Sequence, residues 1–242
     1  MEHWEYLKSG GLRFAWEDAL FRPGTDSFLL SSLPRLSAGL RICDLGCGTG
    51  LLGLLLLQRQ PDLYVSGIDI QSEAIALAER TAAENGLADR LAFQCADLRQ
   101  IRQYFPTGSF DLVICNPPYY IPGSGKVSAD NARRTARSES VSSLADICNA
   151  AVYLLRWGGK FCLVHKPERL TDVLCALREA GMEPKRLRFV HDRAGHVPSL
   201  FLTEGCRGGK PSLVIEPPLI LHDCNGAPTP ELNAIYFRDQ EV

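Results

Sequence analysis

Asn116-Pro117-Pro118-Tyr119 places a carboxamide, two rigid rings and a flat aromatic face in four consecutive residues. Such a set suits the capture of a planar, weakly nucleophilic amine. The Asn116 side-chain oxygen and the Pro117 carbonyl are both acceptors, matched to the two N–H donors of that amine. Held by both, the amine's lone pair is drawn back onto nitrogen and can be aimed at an electrophile. No strong base is required, because the amine becomes acidic only as its new bond forms. Orientation of this kind can supply about 7–11 kcal/mol when the reacting atoms are aligned. Tyr119 offers a face on which the ring carrying the amine can stack, worth roughly 1–3 kcal/mol per base. Read alone, the motif is equally an ordinary turn, since Asn-Pro favours turns. Its setting decides between the two.

That setting is a strand. Residues 110–115 are a short, mostly apolar run preceded by Gly108, the pattern of a buried strand. Pro117 has no N–H and biases Asn116 away from helical angles, so the strand must stop and the chain must turn. Pro118 stiffens the turn, and Asn116 projects from a fixed ledge at the strand's carboxyl end.

From residue 40 the chain alternates. Strands are predicted at 40–43, 63–68, 91–94, 110–115 and 160–165, with helices at 51–60, from Ser72 to Asn85-Gly86, at 141–155 and at 168–180. Two further strands, 186–190 and 199–203, follow with no helix between them and read as an antiparallel edge pair. The pattern predicts a Rossmann-like, doubly wound α/β fold around a mainly parallel seven-stranded sheet with an antiparallel edge hairpin. Residues 1–242 are read as a single domain, with 1–38 as an N-terminal capping segment. Within it, Thr25 or Asp26 can cap a short helix with Phe28, Leu29, Leu30 and Leu33 as its apolar face.

The strand at 40–43 leads into Asp44-Leu45-Gly46-Cys47-Gly48-Thr49-Gly50. A glycine-rich turn between strand and helix lets a nucleotide-like ligand approach the backbone closely. A dinucleotide fingerprint counted from Gly46 needs glycine where this chain has Leu51, and the lysine of a P-loop is missing. Asp44 stands where a pyrophosphate would be repelled and an amino group welcomed. Asp69 closes the next strand, placed for ribose hydroxyls; Asp97 follows the third, placed for an adenine amino group. A cationic head, a ribose and an adenine describe S-adenosylmethionine. The candidate cofactor set is therefore Asp44, Gly46, Gly48, Gly50, Asp69 and Asp97, with Ile70 and Leu98 beside the acids and Thr25 and Asp26 from the preceding segment. In an open parallel sheet, ligands bind at the carboxyl ends of strands, where the glycine turn and the Asn116 ledge both lie.

Composition bounds the partners. The chain has 242 residues, 45% hydrophobic and 22% charged, with net charge −2, so RNA would be held by a local patch and not by global attraction. The candidate patch is Lys126, Arg133, Arg134 and Arg137, in a lid loop spanning 120–140. A second basic group, Lys185, Arg186, Arg188 and Arg193, is explained nearly as well by a plain surface strand. Nine scattered cysteines point to reduced thiols in a cytoplasmic protein, with no metal site expected and no membrane span. For His165 and His196, surface or packing roles are expected.

The glycine turn and Asn-Pro-Pro-Tyr together resemble class I S-adenosylmethionine-dependent methyltransferases that act on amines. The whole chain resembles the bacterial valine-tRNA adenine-N6 methyltransferases. The likeness runs through Gly11-Leu12-Arg13, Asp26-Ser27-Phe28-Leu29-Leu30, ARRTARSE (132–139), VHKPERL (164–170), EPKRLRFV (183–190), GGKP (208–211) and PPLIL (217–221). The resemblance implies that Gly46, Gly48, Asp69, Asp97 and Asn116 hold the cofactor, that Asn116 to Tyr119 hold the target base, and that the substrate is an adenine beside a tRNA anticodon. The family commonly has His where this chain has Ser138. Alternatives are a protein glutamine-N5, rRNA amino- or DNA adenine methyltransferase, or a module that binds S-adenosylmethionine or RNA without turnover.

Overall fold

The computed structural model describes residues 1–17, 20, 24–118 and 142–238. Two short strands, β1 (Glu2–Tyr6) and β2 (Arg13–Glu17), pair antiparallel into a hairpin of their own. This hairpin opens the segment expected to cap the domain. The hairpin docks on α3 (Ser72–Glu84): the Asn85 side chain just past that helix bonds both the N–H and the carbonyl of Arg13.

The helix α1 (Thr25–Ser31) buries Phe28, Leu29 and Leu30, and Leu33 just beyond it, as its apolar pattern predicts. The expected cap is not there. Gly24 occupies the N-cap and no side-chain cap bond forms, so Thr25 and Asp26 lie in the first turn instead. Likewise Gln71, not Ser72, precedes α3.

The alternating core follows: β3 (Arg41–Leu45), α2 (Leu51–Arg59), β4 (Tyr64–Asp69), α3, β5 (Leu91–Cys95), β6 (Phe110–Cys115), α4 (Leu144–Leu154) and β7 (Leu155–His165). Then come α5 (Leu170–Glu179), β8 (Met182–Arg193), β9 (Pro198–Arg207), β10 (Val214–Ile215), β11 (Leu219–His222) and α6 (Pro230–Ile235). Strands β5-β4-β3-β6-β7 are parallel; β9 joins antiparallel and β8 pairs with it, giving the seven long strands expected. Two short strands, β10 and β11, extend this sheet to nine, lying one after the other along β8.

These last strands are held by charge. Arg186 bonds Glu204 on β9 and Glu216 just past β10, while Arg188 bonds the Pro217 carbonyl and Glu231 on α6. Arg186 and Arg188 of the second basic group are thus absorbed into the fold. Strand β7 also begins five residues earlier than predicted. It runs through Gly158-Gly159, which the sequence presents as a helix stop, and an irregularity between Phe110 and Leu112 takes up the register.

Two apolar cores flank the sheet. One joins α1, α2 and α6 to Ile42, Ile114, Val164 and Leu202; the other joins α4 and α5 to Cys43, Val113, Phe161 and Phe201. Alternate residues of β3 and β6 serve the two faces, as the period of a strand requires. Connections leave β3 toward β4 and leave β6 toward β7, so the topological switch lies between the carboxyl ends of β3 and β6.

Candidate cofactor and amine-binding site

The register at the switch brings the two motifs together. Asp44 of β3 sits opposite Ile114 of β6, which places the glycine turn that begins at Gly46 alongside the ledge that begins at Asn116. Asp44 also pairs with Gly67 on its other side, and Leu45 with Ile68, so Asp69 emerges beside the same turn.

The turn is built by its neighbours. Gly46 and Cys47 donate backbone N–H bonds to the Ile68 carbonyl, and Gly48 donates to Asp69 Oδ2 at 2.8 Å. Gly46 and Gly48 have φ of +74° and +52°, and a Cβ at either would meet nothing within 4 Å. That is a backbone curved around open space, where a ligand can lie. Gly50 differs. A Cβ there would meet Phe93 Cζ at 2.6 Å, so its bareness admits a core ring instead.

Asp44 is the most unusual group among the described residues. It is only 2% exposed, and its Oδ2 is buried with no hydrogen-bond partner. Burial, with the Asp69 charge second, pushes its pKa up to about 8. A carboxylate left in this state is a liability unless a cation comes to meet it. Asp69 is occupied differently: Oδ2 holds Gly48 and Oδ1 accepts from the Gln71 N–H at 2.9 Å. Each oxygen of a carboxylate has two lone pairs, so both retain capacity for a hydroxyl. Ile70 follows, an apolar side chain that is 50% exposed at the rim.

Asp97 is engaged by Arg99, through its N–H and its guanidinium, and that bonding holds the Asp97 carboxyl below the usual range. The acid is where the sequence predicts it, but with an arginine already on it. Leu98 is half-buried beside it. Thr25 and Asp26 open α1, one residue ahead of a contact that sequence reading missed. Ser27 accepts a hydrogen bond from Asn116 Nδ2 at 3.2 Å, across 89 positions of chain. The only sequence signal for it was Ser27 lying within one of the segments that carry the family likeness.

Asn116 is half-buried, Pro117 buried and Pro118 exposed, a ledge at the end of β6 as expected. Tyr119, the lid 120–140 with Lys126, Arg133, Arg134 and Arg137, and Ser138 lie outside the described residues. His165 ends β7 on the other side of the ledge; it is buried, its Nδ1 accepts from the Lys166 N–H, and burial lowers its pKa to about 4. All nine cysteines are free. Burial, reinforced by Asp44, pushes the thiols of Cys43, Cys47 and Cys115 well up, which keeps them protonated and unfit as nucleophiles. Among the described residues no cluster of His, Cys, Asp and Glu could hold a metal ion, and no helix is long and apolar enough to cross a membrane.

A doubly wound sheet with a curved glycine turn, an unmet buried acid and an acid after the next strand, all at the switch point, defines a protein that binds a nucleoside with a cationic group. The chain belongs to the methyltransferase small domain family, whose model matches residues 21–176. It is 30% identical over 215 residues to the tRNA1(Val) (adenine(37)-N6)-methyltransferase of Dickeya chrysanthemi (strain Ech1591), covering 86% of this chain and 84% of that enzyme. To the enzyme of the same name from Yersinia enterocolitica it is 30% identical over 164 residues, 65% of this chain and 64% of the relative, so that match spans somewhat under two thirds of the relative's length. The fold is similar to that of an Agrobacterium tumefaciens protein described as a predicted O-methyltransferase, with a TM-score of 0.73 and 22% identity over 88% of this chain and 96% of that one.

Proposed function

We propose that this chain transfers a methyl group from S-adenosylmethionine to the exocyclic N6 of an adenine in RNA, with a tRNA adenine near the anticodon as substrate. The observation that carries the reading is the register of β3 on β6, Asp44 opposite Ile114, which sets the cofactor turn beside the amine-gripping ledge. The names of the Dickeya and Yersinia relatives support the choice of adenine and of tRNA.

The residues fit the cofactor. Asp44 would take its ammonium, Asp69 its ribose hydroxyls and Ile70 one face of its adenine, while Gly46 and Gly48 let the backbone lie close. Asp97 would take the adenine amine once Arg99, an exposed side chain, swings away. When bound, S-adenosylmethionine supplies a methyl group made electrophilic by its sulfonium. The chain's own residues then have a positioning task. The target adenine leaves its stack, as chemistry on a base edge requires. Asn116 Oδ1 and the Pro117 carbonyl each accept one N6 hydrogen, which aims the nitrogen lone pair, and Tyr119 stacks on the ring. Lys126, Arg133, Arg134 and Arg137 in the 120–140 lid hold RNA phosphates.

The test is nucleoside mass spectrometry of tRNA from cells with and without the gene, together with transfer of labelled methyl by the purified protein to tRNA, bulk protein and DNA. Loss of N6-methyladenosine and label in tRNA is the expected result. Label in protein alone would favour a glutamine substrate, and label nowhere a non-catalytic binding module.

A further inference from the structure

We propose that Ser27 is a positioning residue for Asn116, which it holds with the amide oxygen toward the substrate amine; the assignment rests on the amine-gripping role given to Asn116 above. The prolines fix the backbone of the ledge but not the torsion of the carboxamide itself. Rotation about the bond to an amide is broad and roughly two-fold, so an untethered Asn presents its NH2 about as readily as its oxygen. The wrong end would point donors at the two N–H donors of the amine and repel it.

Ser27 supplies a tether from outside the sheet. Its hydroxyl oxygen accepts from Asn116 Nδ2 at 3.2 Å, so the nitrogen end of the amide faces Ser27 and the oxygen is the opposite end. The tether is itself immobile. Ser27 is 6% exposed, and its helix is anchored through the buried Phe28, Leu29 and Leu30, with Phe28 stacked on Tyr236 at a centroid distance of 4.3 Å. A contact that spans 89 positions and joins the capping segment to the catalytic corner therefore gives α1 a role in turnover, beyond covering the apolar face of the sheet.

Steady-state kinetics on RNA for Ser27→Ala, Ser27→Thr and the control Ser32→Ala test this. Ser32 is on the same segment, and its hydroxyl donates to the Leu29 carbonyl. Losing one hydrogen bond to the amide lowers kcat roughly 5- to 30-fold in Ser27→Ala. The cofactor Kd and thermal midpoint match those of Ser32→Ala, and Ser27→Thr, which keeps the hydroxyl, recovers turnover. In 15N-labelled protein the Asn116 side-chain amide resonances move in Ser27→Ala and stay put in Ser32→Ala. Parental kcat in Ser27→Ala overturns the proposal, as does a loss matched by an equal rise in cofactor Kd, or unmoved Asn116 resonances. If the parent protein transfers no methyl to RNA, the substrate reading fails, and the resonances alone still decide whether Ser27 orients the amide.

Discussion

Replacing Asp44 by Asn should stabilise the ligand-free protein at pH 8 while it weakens cofactor binding. The magnitude follows from the buried acid. Its pKa in the folded chain is about 8, against about 3.9 in an unfolded one. Between those values the folded state keeps a proton that the unfolded state has released, so stability falls as pH rises from 4 to 8. At about 1.4 kcal/mol per pH unit, that amounts to roughly 5 kcal/mol lost by pH 8 and about 1.5 by pH 5. Asn is neutral at every pH and escapes the loss, although its buried amide without partners costs about 1–3 kcal/mol. The variant should therefore match the parent near pH 5 and exceed it by about 2–4 kcal/mol at pH 8, a rise in Tm of roughly 4–16 °C for a chain of this size. Differential scanning calorimetry without cofactor, at pH 5 to 8, reads this directly. Titration calorimetry should show parental affinity for S-adenosylmethionine rising toward pH 8, as Asp44 ionises to meet the ammonium, and a loss of about 2–5 kcal/mol in the variant. A Tm difference that stays flat across the pH range would refute the reasoning, because it would mean that Asp44 is not protonated in the empty site.

Three other outcomes are expected. Asn116→Ala should bind the cofactor nearly as the parent does but lose roughly 100-fold or more in kcat, the cost of misplacing the amine; single-turnover kinetics and equilibrium dialysis separate the two effects. Replacing Arg133, Arg134 and Arg137 together by Ala should raise the RNA KM and reduce the slope of log affinity against log salt by roughly 2–3, read by filter binding across salt concentrations. Arg186→Ala leaves the buried Glu204 without its closest cation and frees Glu216, so it should destabilise the fold by about 3–5 kcal/mol in urea titrations while leaving cofactor affinity unchanged.

The parts of this architecture that sequence could reveal are those with a local cause. Proline stops, glycine turns and runs of apolar residues located β3 to β6, the glycine turn and the ledge, because each follows from a few adjacent residues. Asp44 could be picked out by its place before the turn, but not its isolation, which depends on β4 and β6 closing around it. The Ser27 contact has no local cause at all: a hydroxyl in one helix and an amide 89 positions away meet only once the sheet is assembled. The hairpin β1–β2 mixes charge and aromatic rings without clean alternation, and it owes its position to Asn85. Strands β10 and β11, two and four residues long, were invisible for a similar reason. They are fixed less by their own pattern than by Arg186 and Arg188 reaching out from β8.

That outer margin of the sheet has a consequence for how the molecule behaves in company. Strand β8 is twelve residues long, and bare it would offer a ladder of unspent N–H and C=O groups to any passing chain. What covers it is broken into two stubs with Pro217-Pro218 between them, too short and too interrupted to serve as a template in their turn. The C-terminal segment thus acts as a selvedge, finishing this margin of the weave with strands too short and too interrupted to be a long open edge.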